Sequence, residues 1–158
     1  MSVDNHVDET LREDMALLAY RQGRVLVIKM HGYLSRFWRV PQGIILPDVD
    51  YKQRAAQLLA EMVSCTEVGQ VRDTRVHARV YYDPEQRGSN DPQVTSRIYA
   101  GKNLHFYTAE IACPEELLVP AGRVKKLKMV EPAKLQGFLS PEEMHAVDRI
   151  LQTYVIEV

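Results

Sequence analysis

The sequence predicts a mixed α/β (α+β) domain, and three stretches predict it. Two apolar runs, MALLAYR and RVLVIKM, flank Gln22-Gly23 between positions 15 and 30. Apolar side chains recur at helical spacing between positions 51 and 65. The second half of the chain alternates polar and apolar residues in short blocks and closes on a second helical pattern. Each element is explained by local chemistry.

Residues 1–13 are polar and acidic with no hydrophobic period, so they read as a flexible tail before a single domain at 14–158. The two apolar runs across a short Gly-containing turn read as a β-hairpin. HGYLSRF (31–37) is a loop. WRVPQG (38–43) is a short extended piece, because the residue before Pro41 is pushed out of the helical region. LPDVD (46–50) is a turn, and Asp50 can cap the next helix. That helix runs from about Asp50 to about Val63, with Ala55, Leu58, Leu59 and Met62 on one stripe.

After a turn at Gly69, TRVHARVYYD (74–83) alternates. Val76, Ala78 and Val80 face one way, and His77, Arg79 and Tyr81 the other. DPEQRGSNDPQVTSR (83–97) has almost nothing to bury and reads as a long exposed loop. RIYAG and NLHFYTAEI are two further strands, and RVKKLKMV (123–130) is the last. Its Lys125, Lys126 and Lys128 suit a charged sheet edge. Ser140-Pro141-Glu142-Glu143 opens the final helix: a capping Ser, Pro at the first helical position, acids in the first turn. Val147, Ile150, Leu151 and Tyr154 give its buried stripe.

Composition bounds the function classes. A chain of 158 residues suits one domain with a real core. A net charge of −1 gives no overall pull toward nucleic acid or an anionic membrane. No apolar run approaches membrane-spanning length. The polar start is unlike a signal peptide, so a cytoplasmic location is expected. Cys65 and Cys113 are far apart and form no CxxC. They read as buried or idle thiols in a reducing compartment; a disulfide is the alternative, which nothing in their spacing supports.

Residues Gly43–Cys65, GIILPDVDYKQRAAQLLAEMVSC, resemble a Nudix box, G-x5-E-x7-R-E-U-x-E-E-x-G-U, where U is a bulky aliphatic. Aligned without a gap, Gly43, Leu59 and Glu61 match. Val49, Gln57, Leu58, Met62 and Ser64 stand where the box has Glu, Arg, Glu, Glu and Gly. Trp38-Arg39-Val40-Pro41-Gln42-Gly43 resembles the W-x-x-P-Q-G entry of RNA pyrophosphohydrolases and diadenosine polyphosphate hydrolases. The resemblance extends over the chain after the tail and implies an α/β/α sandwich with a mixed sheet. It also implies where chemistry would sit. Box carboxylates hold Mg²⁺, a hard ion that needs oxygen ligands, against a diphosphate.

Here Leu58 and Met62, one helical turn apart on one face, supply none. Glu61 is the candidate metal ligand and, with Glu110 near the end of NLHFYTAEI, the candidate catalytic carboxylate. Asp48 and Asp50 flank the missing Glu and serve equally as turn and cap. Trp38, Gln42, Gly43, His77 and Arg79 are the candidate ligand-binding residues. Tyr33 and Phe37 join Trp38 as rings a base could stack on, or as core.

The expected function is a catalytically degenerate binding or interaction module for a nucleotide-like or diphosphate ligand, or for a protein partner. No cofactor is expected of it, and a homodimer is compatible with it. One alternative is a divergent Mg²⁺-dependent hydrolase of nucleoside diphosphate derivatives. Another is a structural subunit of a larger assembly.

Overall fold

The computed structural model describes residues 10–32, 35–81 and 99–153. Residues 1–9 of the expected tail, the expected loop 83–97, Tyr33 and Tyr154 lie outside the described residues. Six strands and two α-helices organise the rest: β1 (Leu11–Arg21), β2 (Arg24–Met30), β3 (Gln42–Ile44), α1 (Tyr51–Val63), β4 (Val68–Tyr81), β5 (Gly101–Ile111), β6 (Val124–Val130) and α2 (Pro141–Thr153). Two short 3₁₀ helices, Glu115–Leu117 and Pro132–Gly137, flank β6.

The β1–β2 hairpin forms at the expected turn. Gln22 and Gly23 both have positive φ, 51° and 75°, as a two-residue turn matched to strand twist requires. β1 starts at Leu11, so residues 11–13 of the expected tail belong to the sheet. The sheet runs β4-β5-β1-β2-β6, and β3 adds to β1 beside β2. β1 and β5 are parallel, and the other pairs are antiparallel, so the sheet is mixed.

Both faces of this sheet are covered. Met15, Leu17, Ala19, Leu26 and Ile28 pack under α1 with Ala55, Leu58, Leu59, Met62 and Val63. Ala16, Leu18, Val25, Val27, Leu104 and Phe106 pack under α2 with Ala146, Val147 and Ile150. That double burial explains why MALLA reads as an unbroken apolar run rather than an alternation. The layers make an α/β/α sandwich.

α1 keeps its expected bounds. Asp50 Oδ1 accepts from the Gln53 backbone N–H at 2.9 Å, and Ser64 ends the helix at φ 61°. β4 is longer than the sequence suggests. Register shifts between Val68 and Val71 and between Asp73 and Val76 break its alternation. Of RIYAG (97–101), Arg97 and Ile98 lie outside the described residues, Tyr99 and Ala100 are irregular, and one long strand begins at Gly101. Gly101 lies against the Val80 carbonyl and the Tyr81 Cα, where a Cβ would collide. Only glycine lets β5 start so close to β4.

The idle-thiol reading of the cysteines is overturned. Cys65 and Cys113 form a disulfide, with Cα atoms 6.0 Å apart. Strand pairing explains what spacing hides. Val68 pairs with Ile111, so the residues just before β4 and just after β5 must meet. Backbone hydrogen bonds tighten the same corner: Ala112 N to Glu67 O at 3.0 Å and Val119 N to Val63 O at 3.1 Å. The disulfide therefore ties the end of α1 to the far end of β5. A thiol titration of the denatured, unreduced protein is expected to find no free cysteine. Replacing both by Ala is expected to lower unfolding stability by about 2–4 kcal/mol. Two titratable thiols in the unreduced protein would contradict this.

Candidate functional site

The box segment is closed by packing. β3 passes directly beneath α1 at Gly43. A Cβ there would stand 2.6 Å from Leu58 Cδ2 and 2.9 Å from Arg54 Nη2. Arg54 fastens the contact: its Nε donates to the Ile44 carbonyl at 2.9 Å and its Nη1 to Gln57 Oε1 at 3.3 Å. Sequence patterning does not single out Arg54, although its position one turn before Leu58 puts it on the buried stripe. Leu58 is 1% exposed and Met62 8%.

Glu61 lies outward on α1, Asp48 is exposed in the preceding turn, and Asp50 is engaged as the helix cap. Glu110 does not join them. Strand alternation from Ala109 and Ile111, which pack under α1, turns Glu110 to the opposite face. A Mg²⁺ site of the Nudix kind does not fit these residues, since thioether and isobutyl groups offer no hard oxygen. Among the described residues, no three or more His, Cys, Asp or Glu side chains are placed to hold a metal ion.

The five candidate ligand residues divide three ways. Gly43 is sealed under α1. Trp38 is on the α2 side, its ring edge-on to Phe138 at 5.7 Å. Gln42 is buried on that side as well. His77 and Arg79 are exposed on the α1 side of the sheet, beyond the part the helix covers.

There His77 faces His105, with ring centroids 4.3 Å apart, and Arg79 is opposite Asn103. Glu13 Oε1 is 3.4 Å from both Asn103 Nδ2 and His105 Nε2. Tyr107 lies next along β5, stacked on Tyr51 of α1 at 5.3 Å. Burial, then the nearby Asp73 carboxylate and Tyr51, push the Tyr107 hydroxyl pKa up, keeping it neutral. Asn103 and His105 were not among the sequence candidates. Their alternation with Leu104 and Phe106 was the available signal.

The α2 face holds a buried polar cluster that the sequence candidates also omit, Gln42 apart. Arg12 grips Asp14 through two hydrogen bonds of 2.7 Å. Lys102 Nζ donates to Gln42 Oε1 at 2.6 Å. Gln42 Nε2 donates to the Val40 carbonyl at 3.1 Å and to Glu143 Oε1 at 3.4 Å. Glu143 Oε1 also accepts from the Val40 N–H at 3.2 Å. Arg39 is buried alongside. Glu143, an acid of the first helical turn, points into the core rather than to solvent.

Burial, then the Arg39 charge, lower the Lys102 pKa from 10.5 to about 7. Burial raises the Glu143 pKa, against the pull of Arg39 and Lys102. Below about pH 7 both folded and unfolded chains carry the Lys102 ammonium. Between about 7 and 10.5 only the unfolded chain does, so raising the pH through that window favours folding. Glu143 acts oppositely just above 4.5, where the unfolded chain releases its proton first. Unfolding stability is thus expected to climb on the alkaline side of neutrality, by at most ~1.4 kcal/mol per pH unit. Denaturant midpoints across that window check it, and Lys102→Met should flatten the slope.

No family model matches the chain, and no curated protein matches its sequence. Solved structures do. The E. coli dihydroneopterin triphosphate pyrophosphohydrolase superposes with a TM-score of 0.69 at 12% identity, over 92% of this chain and all of that one. A C. elegans Ap4A hydrolase gives 0.61 at 16% identity, over 91% of this chain and all of that one. The NUDIX domain of Shewanella oneidensis NrtR, solved with ADP ribose, gives 0.61 at 15% identity, over 96% of this chain and 92% of that one. The mixed sheet between two helical layers is shared with these proteins over nine-tenths or more of the chain, and the chain has the Nudix fold.

Proposed function

We propose that this chain is a Nudix-fold binding module whose metal-dependent hydrolase site has been replaced by core, and that its ligand is a nucleotide-derived phosphate or diphosphate. One observation carries the reading: Leu58 and Met62 are packed into the α1 core. Burying two such side chains contributes about 1.5–3 kcal/mol each, whereas carboxylates there would repel and demand a metal. The ligand class is supported by the neighbours, one of them solved with ADP ribose.

A divergent hydrolase using Glu61, Glu110 and Asp48 or Asp50 has less support. Glu110 is on the other face, and Asp50 is held by its helix. The paired cysteines weigh against the expected location in a reducing compartment. Among the described residues, no helix is long and apolar enough to cross a membrane.

The parent protein is expected to show no Mg²⁺- or Mn²⁺-dependent turnover of nucleoside triphosphates, ADP-ribose or diadenosine polyphosphates. Turnover abolished by Glu61→Gln would show that a reduced site works. The double change Leu58→Glu with Met62→Glu is expected to create Mn²⁺ binding in the millimolar range or tighter, read by relaxation on protein confirmed to be folded. The double change should cost stability, because two apolar groups in the core become charges. Met62→Glu alone, nearer the surface, provides a milder variant. Folded variants that bind Mn²⁺ no better than the parent would mean that these positions never faced a metal site.

A further inference from the structure

The part of the sheet beside α1 that no described helix covers has a composition unlike a simple solvated face. Three adjacent strands present Glu13 from β1, Asn103 and His105 from β5, and His77 and Arg79 from β4, all on one side. Four of these five can donate hydrogen bonds. The fifth, Glu13, supplies an acceptor: its Oε1 is 3.4 Å from both Asn103 Nδ2 and His105 Nε2. Yet Glu13 is not fixed there by packing, since its side chain is 56% exposed. A carboxylate oxygen that can swing away into water therefore marks where another oxyanion can be received.

The other carboxylate on this face, Asp73, is already engaged by the Arg75 backbone N–H at 2.8 Å. At the α1 end of the same surface, Tyr51 is 41% exposed and stacks on Tyr107. Its ring can extend the surface toward a planar group.

We propose that this shelf is a phosphate-binding surface, with Arg79, His77, His105 and Asn103 as donors and Glu13 as a displaceable occupant of the oxyanion position. Arg79 supplies the charge and the forked donor geometry that phosphate oxygens match. A base or ribose attached to the phosphate would then lie toward Tyr51. The inference rests on the binding reading above but goes further, since that reading names neither this surface nor Glu13. It also predicts a sign that a purely structural role would not. Removing the Glu13 charge takes away a competitor and a like charge, so binding should improve.

The test uses the full chain, isotopically labelled, titrated with ADP-ribose, inorganic phosphate and adenosine. ADP-ribose is expected to shift the amides of His77, Arg79, Asn103 and His105. Inorganic phosphate should shift the same set more weakly, and adenosine should leave the set unmoved. Arg79→Ala should weaken ADP-ribose about tenfold. Glu13→Gln should tighten it roughly threefold. Both positions are exposed, so unchanged melting temperatures should show that the variants fold.

If ADP-ribose binds but its shifts fall around Gln42 and Lys102, or if Glu13→Gln weakens or leaves its affinity unchanged, the shelf is wrong and the binding reading stands. If adenosine moves the shelf amides and phosphate does not, the phosphate chemistry is wrong. If neither the parent nor Glu13→Gln binds ADP-ribose or phosphate at millimolar concentration, the shelf and the nucleotide reading fall together.

Discussion

β1 sets the geometry that every other element must meet. Its backbone pairs with β5 on one side and with β3 and then β2 on the other. Its side chains divide between two cores, Met15, Leu17 and Ala19 to α1 and Ala16 and Leu18 to α2. Strand side chains alternate with a period of two, so a slip of one residue would exchange these sets. It would also drive Asp14, which has no exposure, into the α1 core. The Arg12–Asp14 pair, two residues apart and so on one face, penalises that slip and fixes the register. With the register fixed, β5 must bring Lys102 to the α2 face and His105 to the α1 face.

Elements governed by local chemistry were legible in the sequence. Gln22-Gly23 marks the hairpin because its turn needs positive φ, and the stripe from Ala55 to Met62 marks α1 because burial there has helical period. What was illegible depends on distant partners. The first half of β4 hides because its two register shifts interrupt the alternation a reader counts. The Cys65–Cys113 disulfide hides because only the pairing of β4 with β5 brings its ends together. Glu143 fits a helix-start pattern suited to solvent, and only the arrival of Gln42 and Lys102 makes an inward carboxylate tolerable.

The candidate site was legible by residue type and not by grouping. His77 and Arg79 were recognised as a polar strand face, and the structure keeps them there. The entry segment could not be divided from sequence alone. β3 is only three residues long, so the side to which Gln42 and Gly43 turn is set by their pairing with Ala16 and Met15. That pairing sends Gln42 into the α2 cluster and Gly43 under α1, so two neighbours in a motif serve opposite layers.

These placements leave an unequal distribution of charge. The α2 face keeps buried ionic groups, which are costly unless each is paired and hydrogen-bonded. Gln42 helps by bridging: its oxygen accepts a hydrogen bond from Lys102 Nζ while its nitrogen donates to the Val40 carbonyl and to Glu143. The cluster thereby ties β3, β5 and α2 together. The α1 face has the reverse arrangement. The box positions that turn inward there, Leu58, Leu59 and Met62, are apolar and close-packed, while Glu61 lies outward in solvent. Beside the box, on the sheet face opposite the cluster, lies the shelf, where Arg79 and His77 remain exposed and the Glu13 carboxylate makes two long contacts. Of these three regions, the shelf is the one that keeps Arg79, His77 and Glu13 exposed, so a change of partners there would disturb no core. That contrast is why the proposed binding surface is placed on the strands and not on α1.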